Sequence, residues 1–339
     1  MPLALGVLFS AAVLGCAATA ALRPVLARRR LVDAVNHRSS HTVETLRGGG
    51  LAVLVALVLV TGTMAAFGPD EVRGAPLLII GVCAVAGVGL LGWWEDVRGL
   101  PVAARFSLQL VAAVVVAVAV ALAWDAPVPA LVVVAAVLTS VFYVNAANFM
   151  DGVNGISAQH AVVTGVYAAL VGSTLNQPAL VVLALSGAGA FLGFLPWNFP
   201  SARLFLGDVG SYTLGIFVWF TALWIAVSGA PLVVAIAPLV VYGSDVVLTL
   251  LIRASRGENL AQAHREHVYQ LVQQKTGSHV TSSGTVTALT AVCCLIGWMT
   301  SNGTLGPPVA VVALAVVAAL YCSLRLVVAP SRTQDEVTS

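Results

Sequence analysis

Residues 127–175 read PVPALVVVAAVLTSVFYVNAANFMDGVNGISAQHAVVTGVYAALVGSTL, two apolar runs joined by a polar segment at 145–155. The segment contains three amides, one carboxylate and two glycines. Polar groups at the rim of a bilayer are costly unless they face protein or water, so this segment predicts a functional site. The alternative is an ordinary turn in which Asp151 and Asn154 bond local backbone amides.

The composition of the whole chain is that of an integral membrane protein. Its 339 residues are 59% hydrophobic and 9% charged, with a mean hydropathy of +0.98. A soluble domain has about a quarter of its residues charged. The net charge of +2 indicates no particular class of partner. All five cysteines lie in apolar runs without metal-ligand spacing, which favours small buried side chains over a disulfide framework.

Eleven apolar runs have roughly the length needed to cross a bilayer. The first is predicted to be a spanning helix and not a signal peptide, because no Lys or Arg precedes Arg23. The predicted fold is therefore an all-α integral membrane bundle of about 11 transmembrane helices. The runs are 2–22, 51–68, 75–94, 106–124, 127–147, 158–175, 178–197, 210–228, 231–252, 285–301 and 305–324.

The positions of the basic residues predict the orientation. With the N-terminus outside, Arg73 is the only basic residue in an outer loop, and the other Lys and Arg residues fall on the inner side. The positive-inside rule then places the C-terminus and every polar segment in the cytoplasm. We expect a single polytopic domain over residues 1–329, followed by a disordered cytoplasmic tail at 330–339.

Two inner segments contain basic and acidic groups. Residues 36–50 read NHRSSHTVETLRGGG, in which His41, Arg47 and the glycine amides suit a phosphate, although a membrane anchor would be equally basic. Glu95 and Asp96 end the third run, where adjacent carboxylates are costly unless a cation or substrate joins them. The alternative for this acidic pair is an ion pair with Arg98 or Arg105.

Two later segments add a carboxylate and histidines. Asp208 in FLGDVGS (205–211) could bind a metal, or the motif could be a plain helix start capped by Ser211. The spacing of His264 and His267 predicts that both lie on one face of a helix within 261–275, suited to phosphate binding or proton transfer. A zinc site is disfavoured because no further Cys or His is suitably spaced. Asp245, inside the ninth run, is predicted to support the site.

Taken together, the segments gather carboxylates for a hard cation, basic groups for phosphates, and amides for a base or sugar. This combination suits phosphoryl transfer from a nucleotide to a lipid. The ordered motifs resemble the polyprenyl-phosphate N-acetylhexosamine-1-phosphate transferase family (glycosyltransferase family 4), which includes relatives of phospho-MurNAc-pentapeptide translocase. The motifs are NHRSSHTVETLRGGG, Glu95 with Asp96, NAANFMDGVNG, FLGDVGS and AHREHVYQ, and the last is most similar to the O-antigen branch.

The resemblance implies a role for each matching residue. Asp208 would bind Mg²⁺, with Mn²⁺ as a substitute, and Phe205 would stack on uracil. Asp96 would deprotonate the lipid phosphate or, in a two-step alternative, attack the UDP-sugar. Where many members have a second Asp this chain has Glu95. The implied catalytic residues are Asp96, Glu95, Asp151, His264 and His267; the substrate-binding residues are Asn148, Asn154, Phe205, Arg265, Arg105, His41 and Arg47; and the metal ligands are Asp208 and Asp151.

The implied reaction transfers an N-acetylhexosamine-1-phosphate from a UDP-sugar to undecaprenyl phosphate, giving polyprenyl-diphospho-sugar and UMP. It would start the assembly of a cell-envelope polysaccharide, such as the O-antigen of lipopolysaccharide, at the cytoplasmic face of a bacterial inner membrane. No nucleic-acid partner is expected, and a homodimer is suggested by the family alone. The competing hypothesis is a polytopic transporter or lipid flippase, which should instead bury polar groups near the bilayer midplane, often in broken helices.

Overall fold

The structure is a computed structural model that describes residues 2–33, 44–124, 129–260, 262 and 264–328. Within these ranges there is one two-stranded antiparallel sheet, formed by β1 (Val32–Asp33) and β2 (Thr45–Leu46). The remaining elements are helical. They are α1 Pro2–Arg29, α2 Gly50–Phe67, α3 Pro76–Arg98, α4 Val102–Ala123, α5 Ala130–Phe149, α6 Ile156–Thr174, α7 Pro178–Asn198, α8 Gly207–Val227, α9 Leu232–Ile236, a 3₁₀ turn Ala237–Leu239, α10 Val240–Ser255, α11 Val268–Thr276, α12 His279–Ser301 and α13 Pro307–Val328.

The predicted all-α membrane bundle is confirmed. Ten helical segments of the described chain are long and apolar enough to cross a membrane, with α9, the 3₁₀ turn and α10 forming one continuous segment. The sixth predicted run forms α6, a helix of 19 residues that falls outside this set. Its second turn contains Gln159 and His160, which lower its hydropathy. The protein is thus a multi-pass membrane protein.

The helix ends that carry the polar segments meet at one end of the bundle. Gly49 N, just before α2, donates to Phe205 O, just before α8, over 2.9 Å. Asn148, in the last turn of α5, bonds Asp208, in the first turn of α8. Because successive helices alternate in direction, the ends of α3 and α5 and the starts of α2, α6 and α8 lie together. This is the end that the basic residues predict to be cytoplasmic.

Helix α8 lies in the middle of the bundle. Of its most apolar 18-residue window, 89% is buried, compared with 17% for α13. Its first turns approach two neighbouring backbones so closely that side chains are excluded. A Cβ atom on Gly92 of α3 would lie 2.3 Å from Asp208 O, and one on Gly50 of α2 would lie 2.2 Å from Gly210 Cα. These glycines therefore fix where the start of α8 lies.

We predict that Gly92→Ala destabilises the protein by about 1 to 3 kcal/mol, since the new methyl group overlaps the α8 backbone. The measurement is thermal unfolding of the purified protein in detergent. Gly87→Ala is the matched control, because Gly87 lies in the same helix and a Cβ there would meet no atom within 4 Å. Equal melting temperatures for the two variants would contradict the close approach of α3 and α8.

Candidate active site

Asp96 caps the N-terminus of α8. Its carboxylate lies at the end of α3, with its side chain only 2% exposed, and it accepts the backbone N–H groups of Asp208 and Val209 at 2.9 Å each. The first N–H groups of a helix lack partners inside the helix and attract negative charge. The alternative, a helix start capped by Ser211, is therefore not what the structure shows. Ser211 Oγ instead accepts from Asn148 Nδ2 (3.0 Å) and donates to Asp208 O (3.4 Å).

Arg47 joins two carboxylates from different helices. Its Nε lies 2.7 Å from Asp96 Oδ1 and its Nη2 lies 2.8 Å from Asp208 Oδ2. The backbone around Arg47 is fixed by Arg47 N donating to Leu31 O (2.9 Å) and Phe205 N donating to Leu46 O (2.7 Å). The second of these bonds also places Phe205 next to the ion pairs.

Asn148 and Asp151 come from the segment that joins α5 to α6. Asn148 Nδ2 donates to Asp208 Oδ1 over 2.8 Å, and Asp151 Oδ1 accepts from Ser157 Oγ over 2.6 Å. Burial raises the pKa of the Asp151 carboxyl to about 7, an effect that the bond from Ser157 opposes and the charge of Asp208 reinforces. The structure thus brings Asp96, Asn148, Asp151, Asp208 and Arg47 into one cluster, and their roles remain predictions.

Residues 264–267 form no helix. The helix α11 begins only at Val268, so the prediction that His264 and His267 share a helical face is wrong. The physical reason is that Asp245 of α10 accepts the N–H groups of Val268 (3.1 Å) and Tyr269 (3.3 Å) and so starts the helix there. The two imidazole rings nevertheless lie next to each other, with their centroids 4.9 Å apart.

Asp245 also orients the ring of His267. The carboxylate is fully buried, lies 2.9 Å from His267 Nδ1 and accepts from Tyr321 Oη of α13 over 2.6 Å. A carboxylate on Nδ1 keeps the proton there and leaves Nε2 for another partner. Tyr269 Oη donates to Phe149 O over 2.9 Å and thereby holds α11 against the end of α5. This geometry agrees with the supporting position predicted for Asp245.

The other predicted residues lie in less central positions. Glu95 Oε1 lies 3.4 Å from Arg105 Nη1. For Glu95, the alternative of an ion pair with a nearby arginine is therefore the correct one. Asn154 bonds Pro200 O through Nδ2 (3.1 Å) and His279 Nδ1 through its backbone N–H (3.2 Å). Arg265 directly follows His264, and its carbonyl accepts from Gln274 Nε2 over 3.2 Å. His41, the motif at 36–41 and the tail at 330–339 lie outside the described residues.

Three contributors had not been predicted. Tyr321 and Ser157 gave no signal in the sequence, since each is an ordinary residue of an apolar helix. Tyr269 lies within the AHREHVYQ motif, and its position there could have singled it out. Asn145, from the opening polar segment, has a structural role because its Nδ2 donates to Gln109 Oε1 of α4 over 2.6 Å.

The donor chemistry of the cluster fits a hard divalent cation that a substrate helps to bind. Within the described ranges no three His, Cys, Asp or Glu side chains lie close enough together to form a complete metal site. Mg²⁺ typically takes one or two carboxylates and completes its shell with water and substrate phosphate. Asp208 and Asp151 supply such carboxylates, whereas a structural zinc ion would need four protein ligands, mostly Cys and His.

Comparisons with known proteins found a matching family model and several similar transferases. The model of Glycosyl transferase family 4 matches residues 78–226, which include Asp96, Asn148, Asp151 and Asp208. A decaprenyl-phosphate N-acetylglucosaminephosphotransferase of Mycobacterium tuberculosis (strain H37Rv) is 27% identical over 310 residues, 80% of this chain and 76% of the relative. The Mycobacterium leprae protein with the same description is 26% identical over 312 residues, 80% of this chain and 77% of the relative. A phospho-N-acetylmuramoyl-pentapeptide-transferase of Symbiobacterium thermophilum is 30% identical over 219 residues, 57% of this chain and 65% of the relative.

We predict that Asp245→Asn loosens the start of α11, because an amide in place of the carboxylate cannot accept all of the bonds that Asp245 accepts. Hydrogen exchange of the Val268 and Tyr269 amides should become at least about tenfold faster, which corresponds to about 1.4 kcal/mol of lost protection. Tyr321→Phe is the control, since it removes one bond to Asp245 and leaves both backbone bonds in place. Protection in Asp245→Asn as strong as in Tyr321→Phe would show that the carboxylate does not hold α11.

Proposed function

We propose that this chain, which belongs to glycosyl transferase family 4, transfers an N-acetylhexosamine-1-phosphate from a UDP-sugar to undecaprenyl phosphate. The members of this family are the polyprenyl-phosphate hexosamine-1-phosphate transferases. Transfer of a sugar 1-phosphate to a polyprenyl phosphate is the general activity of the family. The proposed products are polyprenyl-diphospho-sugar and UMP. The proposed place is the cytoplasmic face of a bacterial inner membrane, at the start of a cell-envelope polysaccharide; assignment to the O-antigen remains a prediction.

One observation carries the proposal: at the N-terminus of α8, Asp208 directly contacts Asp96, Arg47 and Asn148. Phosphoryl transfer needs positioning and charge neutralisation more than covalent chemistry. The guanidinium of Arg47 attracts phosphate oxygens. The same place offers carboxylates to a cation, so it can hold a diphosphate and its metal together.

Each residue has a proposed task in this reaction. Asp208 and Asp151 would hold Mg²⁺ or Mn²⁺, which when bound would screen the charge of the diphosphate. Asn148, by donating to Asp208 Oδ1, orients that carboxylate. Arg47 and the histidine pair would bind phosphate oxygens, and Phe205 would contact the base.

The position of Asp96 favours direct attack by the lipid phosphate over a covalent intermediate on this carboxylate. Both oxygens of Asp96 accept α8 backbone N–H groups, and Oδ1 also pairs with Arg47. A nucleophile needs a free lone pair and access to the phosphorus atom. Asp96 Oδ2 keeps a lone pair, but the side chain is only 2% exposed, so Asp96 would have to release the start of α8 to reach a phosphorus atom. We therefore assign it the task of holding α8 in place.

The transporter hypothesis has one feature in its favour, the interruption of the α9 to α10 segment at the buried Pro238. The neighbours of Pro238 in the sequence, Ala237 and Leu239, are apolar and offer no side-chain ligand to a transported ion. The charged side chains of the candidate site lie at one end of the bundle instead. Transferase activity accounts for this one-sided arrangement, whereas a transport path near the midplane does not.

We predict that the purified protein forms a butanol-extractable sugar lipid from a labelled UDP-N-acetylhexosamine, undecaprenyl phosphate and Mg²⁺, and that EDTA abolishes the product. The panel should include UDP-N-acetylglucosamine, UDP-N-acetylgalactosamine and decaprenyl phosphate. Asp208→Asn should lower kcat by about a hundredfold or more, since even outer partners of metal ligands are worth roughly 10- to 100-fold.

The matched control is Asp70→Asn, because Asp70 is 84% exposed at the opposite end of the bundle and pairs with Arg73. This variant should keep wild-type turnover. Absence of labelled lipid for every sugar and both lipids, from protein that is folded by gel filtration and thermal unfolding, would refute the proposed function.

A further inference from the structure

The side chain of Arg47 lies against Asp208, the carboxylate predicted to bind a metal ion. Asp208 Oδ1 accepts from Asn148 and Oδ2 pairs with Arg47, so both oxygens of the predicted metal ligand are engaged. Asp208 is 18% exposed at its side chain and Arg47 is 35% exposed, so the pair is open to solvent on one side. An incoming ion can therefore reach the carboxylate from water.

A divalent ion and this guanidinium compete for the negative charge of Asp208 Oδ2. Mg²⁺ binds oxygen at about 2.0 to 2.1 Å, and the repulsion between a guanidinium at hydrogen-bond distance and a double positive charge there would be strong. Asn148 lacks a charge and can stay on Oδ1. The guanidinium therefore weakens metal binding for as long as Nη2 of Arg47 stays on Asp208.

The guanidinium can leave without unfolding its surroundings. The Arg47 backbone is held by Leu31 O and by the neighbouring bond between Leu46 O and Phe205 N, so the movement is confined to the side chain. Because the guanidinium is rigid and planar, Nη2 leaves Asp208 only when the whole group moves, which also changes the contact of Nε with Asp96 Oδ1. A phosphate is the best new partner for these nitrogens, because it accepts two parallel N–H bonds.

We propose that Arg47 is an internal counter-ion of the Asp96 and Asp208 pair, which the metal displaces and the substrate diphosphate then binds. Without nucleotide, Arg47 competes with the metal and weakens its binding. With nucleotide, the same side chain gains a phosphate partner and frees Asp208, so metal and nucleotide bind cooperatively. Both halves rest on the metal-binding role proposed for Asp208, and the second half also rests on the proposed nucleotide substrate.

The test of the first half measures Mn²⁺ affinity of the full-length protein in detergent, without nucleotide, from the electron paramagnetic resonance signal of free Mn²⁺. Arg47→Gln should bind Mn²⁺ about tenfold more tightly than the wild type. This factor is a conservative figure for removing one partly exposed positive charge that contacts Asp208. Unchanged or weaker binding would overturn the proposal.

The control is Arg105→Gln, which removes a guanidinium that pairs with Glu95 next to Asp96. Its Mn²⁺ affinity should change less than about threefold, because Arg105 pairs with Glu95 and not with Asp208 and so acts on the metal from farther away. A change equal to that of Arg47→Gln would show general electrostatics and overturn the proposal. If Arg47→Gln fails to fold, Arg47→Lys replaces it. Lysine cannot bridge both carboxylates with a planar fork, so severalfold tighter Mn²⁺ binding is expected and unchanged affinity would contradict displacement.

The second half is tested by calorimetric titration of UDP-N-acetylglucosamine with and without Mg²⁺. Thermodynamic linkage requires that metal and nucleotide raise each other's affinity by the same factor. That factor should be severalfold larger for the wild type than for Arg47→Gln, and equal factors would overturn the cooperative role. A failure of both proteins to bind the nucleotide would refute the proposed function, while the Mn²⁺ measurement would still decide whether Arg47 competes with the metal.

Discussion

The bonds from the Asp96 carboxylate to the first N–H groups of α8 are the interaction on which the candidate site depends. A helix that starts near the rim of a membrane presents N–H groups that neither lipid nor its own turns can satisfy. Asp96 satisfies two of them and joins the end of α3 to the start of α8. These bonds fix the position of the first turn of α8, which carries Asp208. The Asp208 carboxylate then contacts Asn148 from α5 and Arg47 from the loop before α2.

A second buried carboxylate binds the start of a helix in the same way. Asp245 on α10 accepts the first N–H groups of α11, as Asp96 does for α8, and in each case the carboxylate comes from a different helix. Both acids are almost fully buried and both also contact a basic side chain, His267 or Arg47. Acidic residues at a membrane rim are easily interpreted as reactive groups. In this chain two of them hold helix starts in place, and Asp208 and Asp151 are better placed to meet ligands.

The sequence predicted the bundle well because hydropathy is a local property that needs no knowledge of packing. It also predicted which segments meet, since alternating helices bring the polar loops to one end. It could not predict which polar atom bonds which. The choice of Asp96 over Ser211 as the cap of α8 depends on how closely α3 and α8 pack, and the bond between Tyr321 and Asp245 joins residues 76 positions apart. The positions of His264 and His267 likewise follow from a helix that starts later than their spacing predicted.

The ion pairs of Arg47 also affect how the protein is made. Arg47 is synthesised before α3 and α8, so the positive charge is present when Asp96 and then Asp208 arrive. Burying two neighbouring carboxylates without a counter-charge would oppose assembly of these helices in the bilayer. Because the chain provides that charge itself, assembly of this part of the bundle does not have to wait for a cation from the cell.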